Sequence, residues 1–357
     1  MTALLVIAIL VFLIVVHELG HFIAAKLFGV RVEEFGVGYP PRAFLFGRFG
    51  GTEYTLNWIP FGGFVRLFGE EEEHGHGSFS DAPRWKQAII LMAGVTMNAI
   101  AAWVLFTGAY MVGVLHPVDV RSENTQLIVS QVVPASPADA AGLRVGDEIA
   151  GVREGDVVLE DLSPVSVSEF VSQRAGREIE VSYIQEGTLQ TGIMRPAHAI
   201  IPGSEGRPAV GMGLLLAETE SMSFSAAVKA GFARTIGTFR VVWDGLSTIV
   251  IQAIQGKPDL TDVVGPVGLV GAVGEAASNG WGYVLSLAAF ISVNLTIINL
   301  LPVPALDGGR LVIVAVESAV RRRAPKIAVQ FVNAIGLALV IMLMVTVTYH
   351  DVARLIA

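Results

Sequence analysis

What most constrains this chain is the length of its apolar runs. From Ala3 to Val16 no side chain is polar, and similar blocks cover about residues 88–115, 281–320 and 327–348. A helix rises 1.5 Å per residue, so about 20 apolar residues match the roughly 30 Å hydrocarbon core of a bilayer. Spans are therefore expected at about residues 2–25, 88–115 and 327–348. The 281–320 stretch is too long for one straight crossing, and Pro302 and Pro304 interrupt it. That predicts a third span broken near its middle. The first run has no basic leader and no small-residue cleavage site after it, so it is expected to be retained.

Basic residues give the orientation. Arg321, Arg322, Arg323 and Lys326 crowd the short loop before the last span, while Lys26, Arg31, Arg84 and Lys86 flank the facing ends of the first two. Such residues stay on the cytoplasmic side. Both termini and the polar region after the second span are then expected outside. The formal net charge of −8 offers no electrostatic footing for nucleic acid. Zero cysteines exclude disulfides and thiolate metal sites, leaving His, Asp and Glu as the strong metal ligands.

The polar segments differ from one another. Residues 33–68 read as β structure, with partial alternation after the Gly50-Gly51 turn, and are aromatic enough to dip into the membrane interface. Residues 122–217 contain strand-like runs at 127–133, 179–184 and 210–216. Their Ser136-Pro137-Ala138 and the Ala141-to-Asp147 turn resemble a bacterial PDZ domain. Residues 224–254 place Lys229, Arg234, Arg240 and Asp244 on one broad face, which favours an interfacial amphipathic helix over a fifth span. The expected division is thus 1–121, 122–217 and 218–357.

The chemistry concentrates in His17-Glu18-Leu19-Gly20-His21. On a helix, positions i and i+4 share a face, so both imidazoles can reach one metal ion, with Glu18 beside it as a proton acceptor. Three fixed residues are a modest signal alone. Their place inside an apolar span strengthens it, because ionisable groups are costly in lipid. The competing reading is a histidine pair hydrogen-bonded within the helix bundle. His17 lies nine residues before Lys26, which puts such a metal roughly 10–14 Å inside the bilayer. A catalytic zinc takes three protein ligands and keeps a fourth position open. Asp307 is the only carboxylate between Trp281 and Val316, and it is the candidate third ligand; its bland role would be the N-cap of a helix starting near Gly309. Asn294 and Asn299 could bind a substrate backbone or an oxyanion, or equally hydrogen-bond between helices. Asn98 reads as a structural residue. His74 and His76 read as part of a solvated acidic loop, and His116, His198 and His350 form no ligand-spaced pair.

Taken together, these motifs resemble the bacterial site-2 protease family, the RseP-type intramembrane zinc metalloproteases, over nearly the whole chain. His17-Glu18-Leu19-Gly20-His21 and Leu306-Asp307-Gly308 match its two metal motifs in order and topology. Gly51-Thr52-Glu53-Tyr54 and the segment from Ile59 through Gly62, Gly63 and Phe64 to Val65 resemble its re-entrant loop. One PDZ domain between the second and third spans is also a family arrangement.

The resemblance implies a polytopic α-helical membrane protein with four transmembrane spans, the third broken, a membrane-associated β-hairpin loop and an inserted α+β PDZ domain. It implies Zn2+ held by His17, His21 and Asp307, Glu18 as general base, and Asn294, Asn299, Gly62, Gly63 and Phe64 near an extended substrate. The implied partners are the lipid bilayer and single-pass membrane proteins or retained peptides, such as an anti-sigma factor or leftover signal peptides. The implied location is the bacterial inner membrane with the PDZ domain outside. The chain departs from the family at Val95, Thr296 and Gly38-Tyr39-Pro40. A silent PDZ scaffold would not need Glu18, and a metal transporter would be expected to show repeated halves.

Overall fold

The computed structural model describes residues 2–70, 75–119, 121–122, 124–185, 187–198, 207–256 and 265–356. His74 therefore lies outside the described residues. The chain divides into two compact units, one of residues 1–109 and 223–357, the other of residues 110–222.

The first unit opens with α1 (Thr2–Leu27). Apolar side chains surround this helix, as expected where lipid replaces water on the outside. Two long strands follow, β1 (Val32–Phe49) and β2 (Thr52–Leu67). Their partners reveal more than one plain hairpin. Residues 42–49 turn back against 52–57, from Arg42 with Asn57 to Phe49 with Thr52. Residues 32–37 take 63–67 on one side, from Val32 with Leu67 to Val37 with Gly63. On the other side the pairs run from Glu34 with Glu53 to Val37 with Leu56. The segment 63–67 is thus at one border of the sheet. Helix α2 (Arg84–Val112) comes next, with Pro83 just before its first turn and Gly113 just after its last. It is shorter at its far end than the apolar run suggests, because Val114 already belongs to a strand.

The second unit is built like a water-soluble domain. Its elements are β3 (Val114–Pro117), β4 (Thr125–Val132), α3 (Pro137–Ala140), β5 (Glu148–Glu154), β6 (Val157–Val158), α4 (Pro164–Ser172), β7 (Ile179–Gln185), β8 (Thr188–Met194) and β9 (Met212–Glu220). The sheet order is β3-β9-β4-β5-β7-β8, with β6 on β5, so its strands extend past residues 122–217 at both ends. Ser136 and Ser163 cap the two helices through Asp139 N and Ser166 N, each followed by proline in the first turn. Val129, Val152, Val167, Ile179, Val181 and Met194 form the centre of an apolar core.

The first unit resumes with α5 (Phe224–Ile254), α6 (Pro266–Ser278), α7 (Trp281–Leu300), α8 (Asp307–Val320) and α9 (Lys326–Ile356). The charged residues of α5 are exposed, and Ala227, Gly231, Thr235 and Thr238 make its buried side. Helix α6 was not legible in the sequence. Its N-terminal Gly265 N and Gly268 N donate to the Asp351 carboxylate near the end of α9, at 3.2 and 2.8 Å. Among the described residues, four helices are long and apolar enough to cross a membrane: α1, α2, α7 and most of α9.

Candidate metal centre

His17 and His21 stand one turn apart on α1, both 8% exposed. Their Nε2 atoms lie 3.1 Å from each other. What allows two rings there is the facing surface of α2. A Cβ on Gly94 would come within 2.4 Å of His21 Nε2 and 2.8 Å of His17 Cε1, so glycine is required for space. Gly20 serves the same approach from α1, since a Cβ there would meet Ala93 O at 2.4 Å. Small residues that let two backbones close together are the usual device of helix packing in lipid.

Asp307 arrives from the far end of the chain. Pro302 and Pro304 have no N–H to continue α7, and the turn that follows is closed by Leu306 N donating to Val303 O at 3.2 Å. Asn333 Oδ1 on α9 accepts from Ala305 N at 3.3 Å. Gly308 and Gly309 lie so tightly under this turn that a Cβ would meet Leu301 O at 2.2 Å or Val303 O at 2.3 Å. Helix α8 starts at Asp307 itself, with Leu306 in the N-cap position and no side-chain cap. Asp307 is therefore not the N-cap of that helix. Its carboxylate turns instead to α1, with Oδ2 at 2.9 Å from His17 Nε2 and 3.2 Å from His21 Nε2.

Three donor atoms thus form a triangle with sides of 2.9, 3.1 and 3.2 Å. Ligands at 2.0–2.1 Å from a tetrahedral zinc are about 3.3 Å apart, so the set fits one such ion and leaves a fourth direction open. Nitrogen and carboxylate donors are also the types this ion takes in catalytic sites. Among the described residues this is the group of His, Asp and Glu placed to hold a metal.

The surroundings hold these ligands in place. His21 Nδ1 donates to Ile90 O at 2.8 Å. His17 Nδ1 lies 3.2 Å from the side-chain amide of Asn98, on the same helix α2. Neither partner is marked by a sequence motif, and Asn98 reads as structural until the two helices are packed. Its eight-residue spacing from Ile90 puts both on one face of α2. This was the only hint in the sequence.

Glu18 is partly exposed beside the two histidines, and Gly63 of β2 packs against it. A Cβ on Gly63 would sit 3.3 Å from Glu18 Cγ and 3.2 Å from Ile14 Cγ2. Gly62 leaves room for the Tyr39 ring, which stacks on Phe64 with centroids 6.5 Å apart and planes 13° from parallel. Gly63 is thus brought alongside Glu18 at the start of the border segment, with Gly62 and Phe64 its chain neighbours. Asn294 is placed differently, its Nδ2 donating to Phe290 O of its own helix at 2.8 Å. Asn299 is half-buried in the last turn of α7. His76 and His350 are exposed and take no part in the centre.

The ends of these helices are tied by ion pairs. Arg84 of α2 meets Glu317 of α8 at 2.8 Å, Arg323 meets Asp81 at 2.8 Å, and Arg310 pairs with Glu70. A second cluster in the β region joins Glu34 to Arg42 and Arg66, and Glu53 to Arg42 and Arg48.

Comparison with known proteins places this arrangement. The model of peptidase family M50 matches residues 5–343. A Clostridium perfringens protein named "Putative zinc metalloprotease" is 36% identical over 342 residues, covering 95% of each chain. Zinc metalloprotease RasP of Geobacillus kaustophilus is 24% identical over 425 residues, covering 96% of this chain and 95% of its own. Among solved structures, the PDZ domain of an SdrC-like protein from Listeria monocytogenes covers 27% of this chain and 93% of its own, with 18% identity and a TM-score of 0.22.

Proposed function

The chain belongs to peptidase family M50 and is a multi-pass membrane zinc metalloendopeptidase, and on that premise we propose that His17, His21 and Asp307 hold the zinc while Glu18 is the general base. The observation that carries this reading is the convergence of the three donor atoms, with Glu18 next to both histidines on α1. Zinc bound there supplies a Lewis acid for the scissile carbonyl and for the attacking water. Glu18 takes the proton that water loses as its oxygen bonds to the carbonyl carbon. It then returns that proton to the amide nitrogen as the C–N bond breaks.

The substrates on this reading are single-pass membrane proteins or membrane-retained peptides, an anti-sigma factor or a leftover signal peptide being of the right form. A helical substrate hides its carbonyls, so the segment to be cut must become extended first. The border segment that begins at Gly63, with Gly63 itself against Glu18, is suited to pair with such a strand next to Gly62 and Phe64. Asn294 and Asn299 would contact it from α7. We read α7, the 301–306 turn and α8 as one broken crossing, whose irregular backbone is tolerated because it lines the site.

The unit of residues 110–222 is read as a PDZ domain on the outer face of a bacterial inner membrane, with the ion-paired helix ends at the cytoplasmic face. It would admit substrates whose outer domain has already been trimmed. The direct test is Glu18→Gln in purified protein. Zinc content should stay near one per chain while cleavage of a model transmembrane peptide falls about 10²–10⁴-fold. Substantial turnover by the zinc-loaded variant would remove Glu18 as the base. The filter is tested separately by replacing residues 122–217 with a short linker. Trimmed substrate should still be cut and untrimmed substrate cut faster, whereas loss of both with zinc retained would make the unit a recruiter.

A further inference from the structure

Asn98 is 1% exposed, and its main-chain oxygen accepts from Ser292 Oγ of α7 at 2.8 Å. Its side chain is unusual in one respect. As placed, Nδ2 faces His17 Nδ1 at 3.2 Å, and the buried Oδ1 has no hydrogen-bond partner among the described residues. A neutral imidazole that offers the Nε2 lone pair to a cation carries its proton on Nδ1. An amide NH2 against that N–H is donor facing donor. The other tautomer would let Nδ2 donate to a bare Nδ1, but it puts the proton on Nε2, between His17 and Asp307, where no ion could then be held.

The oxygen and nitrogen of an asparagine amide are nearly the same in shape, and a half-turn of the amide exchanges them. After that exchange Oδ1 accepts from Nδ1–H. The donor conflict is gone, and the oxygen left without a partner has acquired one. We propose that Asn98 is a positioning residue of the metal centre. Through Oδ1 it fixes the ring and tautomer of His17 so that the Nε2 lone pair faces the open triangle. Ile90 O does the same for His21 through its Nδ1–H. Helix α2, which contributes no ligand, thereby sets both imidazoles. Metal-bound histidines generally need such a partner, and its loss weakens metal binding by about 10–100-fold.

The inference rests on the zinc reading of the site, and the experiment separates the two. Zinc affinity of the full-length protein in detergent is measured by chelator competition for wild type, Asn98→Leu and Asn98→Asp. Absence of zinc binding by wild type would end the site reading itself. With wild type binding, Asn98→Leu should bind about 10–100-fold more weakly. Asn98→Asp, which has an oxygen acceptor at either end, should lose less than about tenfold. Equal affinity of wild type and Asn98→Leu overturns the proposal, and so does a loss in Asn98→Asp as large as in Asn98→Leu. Should Asn98→Leu not fold, histidine-selective ¹⁵N spectra of zinc-loaded wild type give a reading without that variant. They should show the His17 Nδ1–H shifted downfield by its hydrogen bond to Asn98 Oδ1; an Nδ1–H without that shift overturns the assignment.

Discussion

The two units of this chain solve opposite packing problems. In the unit of residues 110–222, valine, isoleucine and leucine fill the interior, and charged pairs such as Arg174–Glu154 and Arg121–Asp161 lie outside. In the other unit His17, His21, Asn98, Ser292 and Thr296 are buried, while Phe12, Ile23, Val104, Leu339 and Met342 face outward. Water drives the first arrangement by expelling apolar surface. Lipid gives no such drive between helices already inserted, so close backbone approach and specific polar contacts hold them. Gly231 against Thr107, Gly336 against Pro304 and Trp103 Nε1 donating to Val228 O at 3.0 Å are contacts of that kind. A small change of shape should therefore damage function in one unit and stability in the other.

The sharpest way to break this contrast is Gly94→Val. The added side chain would occupy the space of both imidazoles. Displacing reacting groups by about 1 Å costs on the order of 100-fold, so peptide cleavage should fall at least that far and zinc content should drop with it. Hydrogen exchange in β5 and β7 should not change. A variant that keeps zinc and full activity would show that α1 and α2 are not packed as described.

The converse change is Ile179→Ala, which truncates a side chain of 0% exposure in the soluble-type core. It should destabilise that unit by about 2–5 kcal/mol. Faster hydrogen exchange in β5, β7 and β8 would report it, with zinc affinity unaltered. A fall in zinc affinity would mean that the units are energetically coupled.

A third test asks whether the units meet different solvents on different sides. The chain has no cysteine, so single labels are unambiguous. Asp156→Cys, on an exposed turn of the second unit, should react with an impermeant thiol reagent in intact cells. Arg322→Cys, beside the ion-paired ends of α8, should react only after the membrane is opened. The opposite pattern would invert the orientation and move the metal centre relative to the cytoplasm.

The sequence determined what depends on neighbours along the chain. The apolar runs define α1, α2, α7 and α9 as helices able to cross a membrane, and the i, i+4 spacing puts His17 and His21 on one face of α1. Pro302 and Pro304 mark where α7 must stop, and Asp307 stands out as an isolated carboxylate in an apolar stretch. These features are local, and helix geometry converts them directly into positions. The tertiary structure decided what depends on contacts between distant segments. His17 and Asp307 are 290 residues apart in the chain and 2.9 Å apart in space. Whether Asp307 caps its own helix or turns to the histidines is a choice between two satisfied carboxylates, and local sequence offers both. Packing of α1 against α2 selects Gly94 as the space for two rings and sets Ile90 O and Asn98 behind them. Nothing in a single helix can specify its partner's register, because in lipid that register is fixed by shape and hydrogen bonding across the interface, which exist only once both helices are in place.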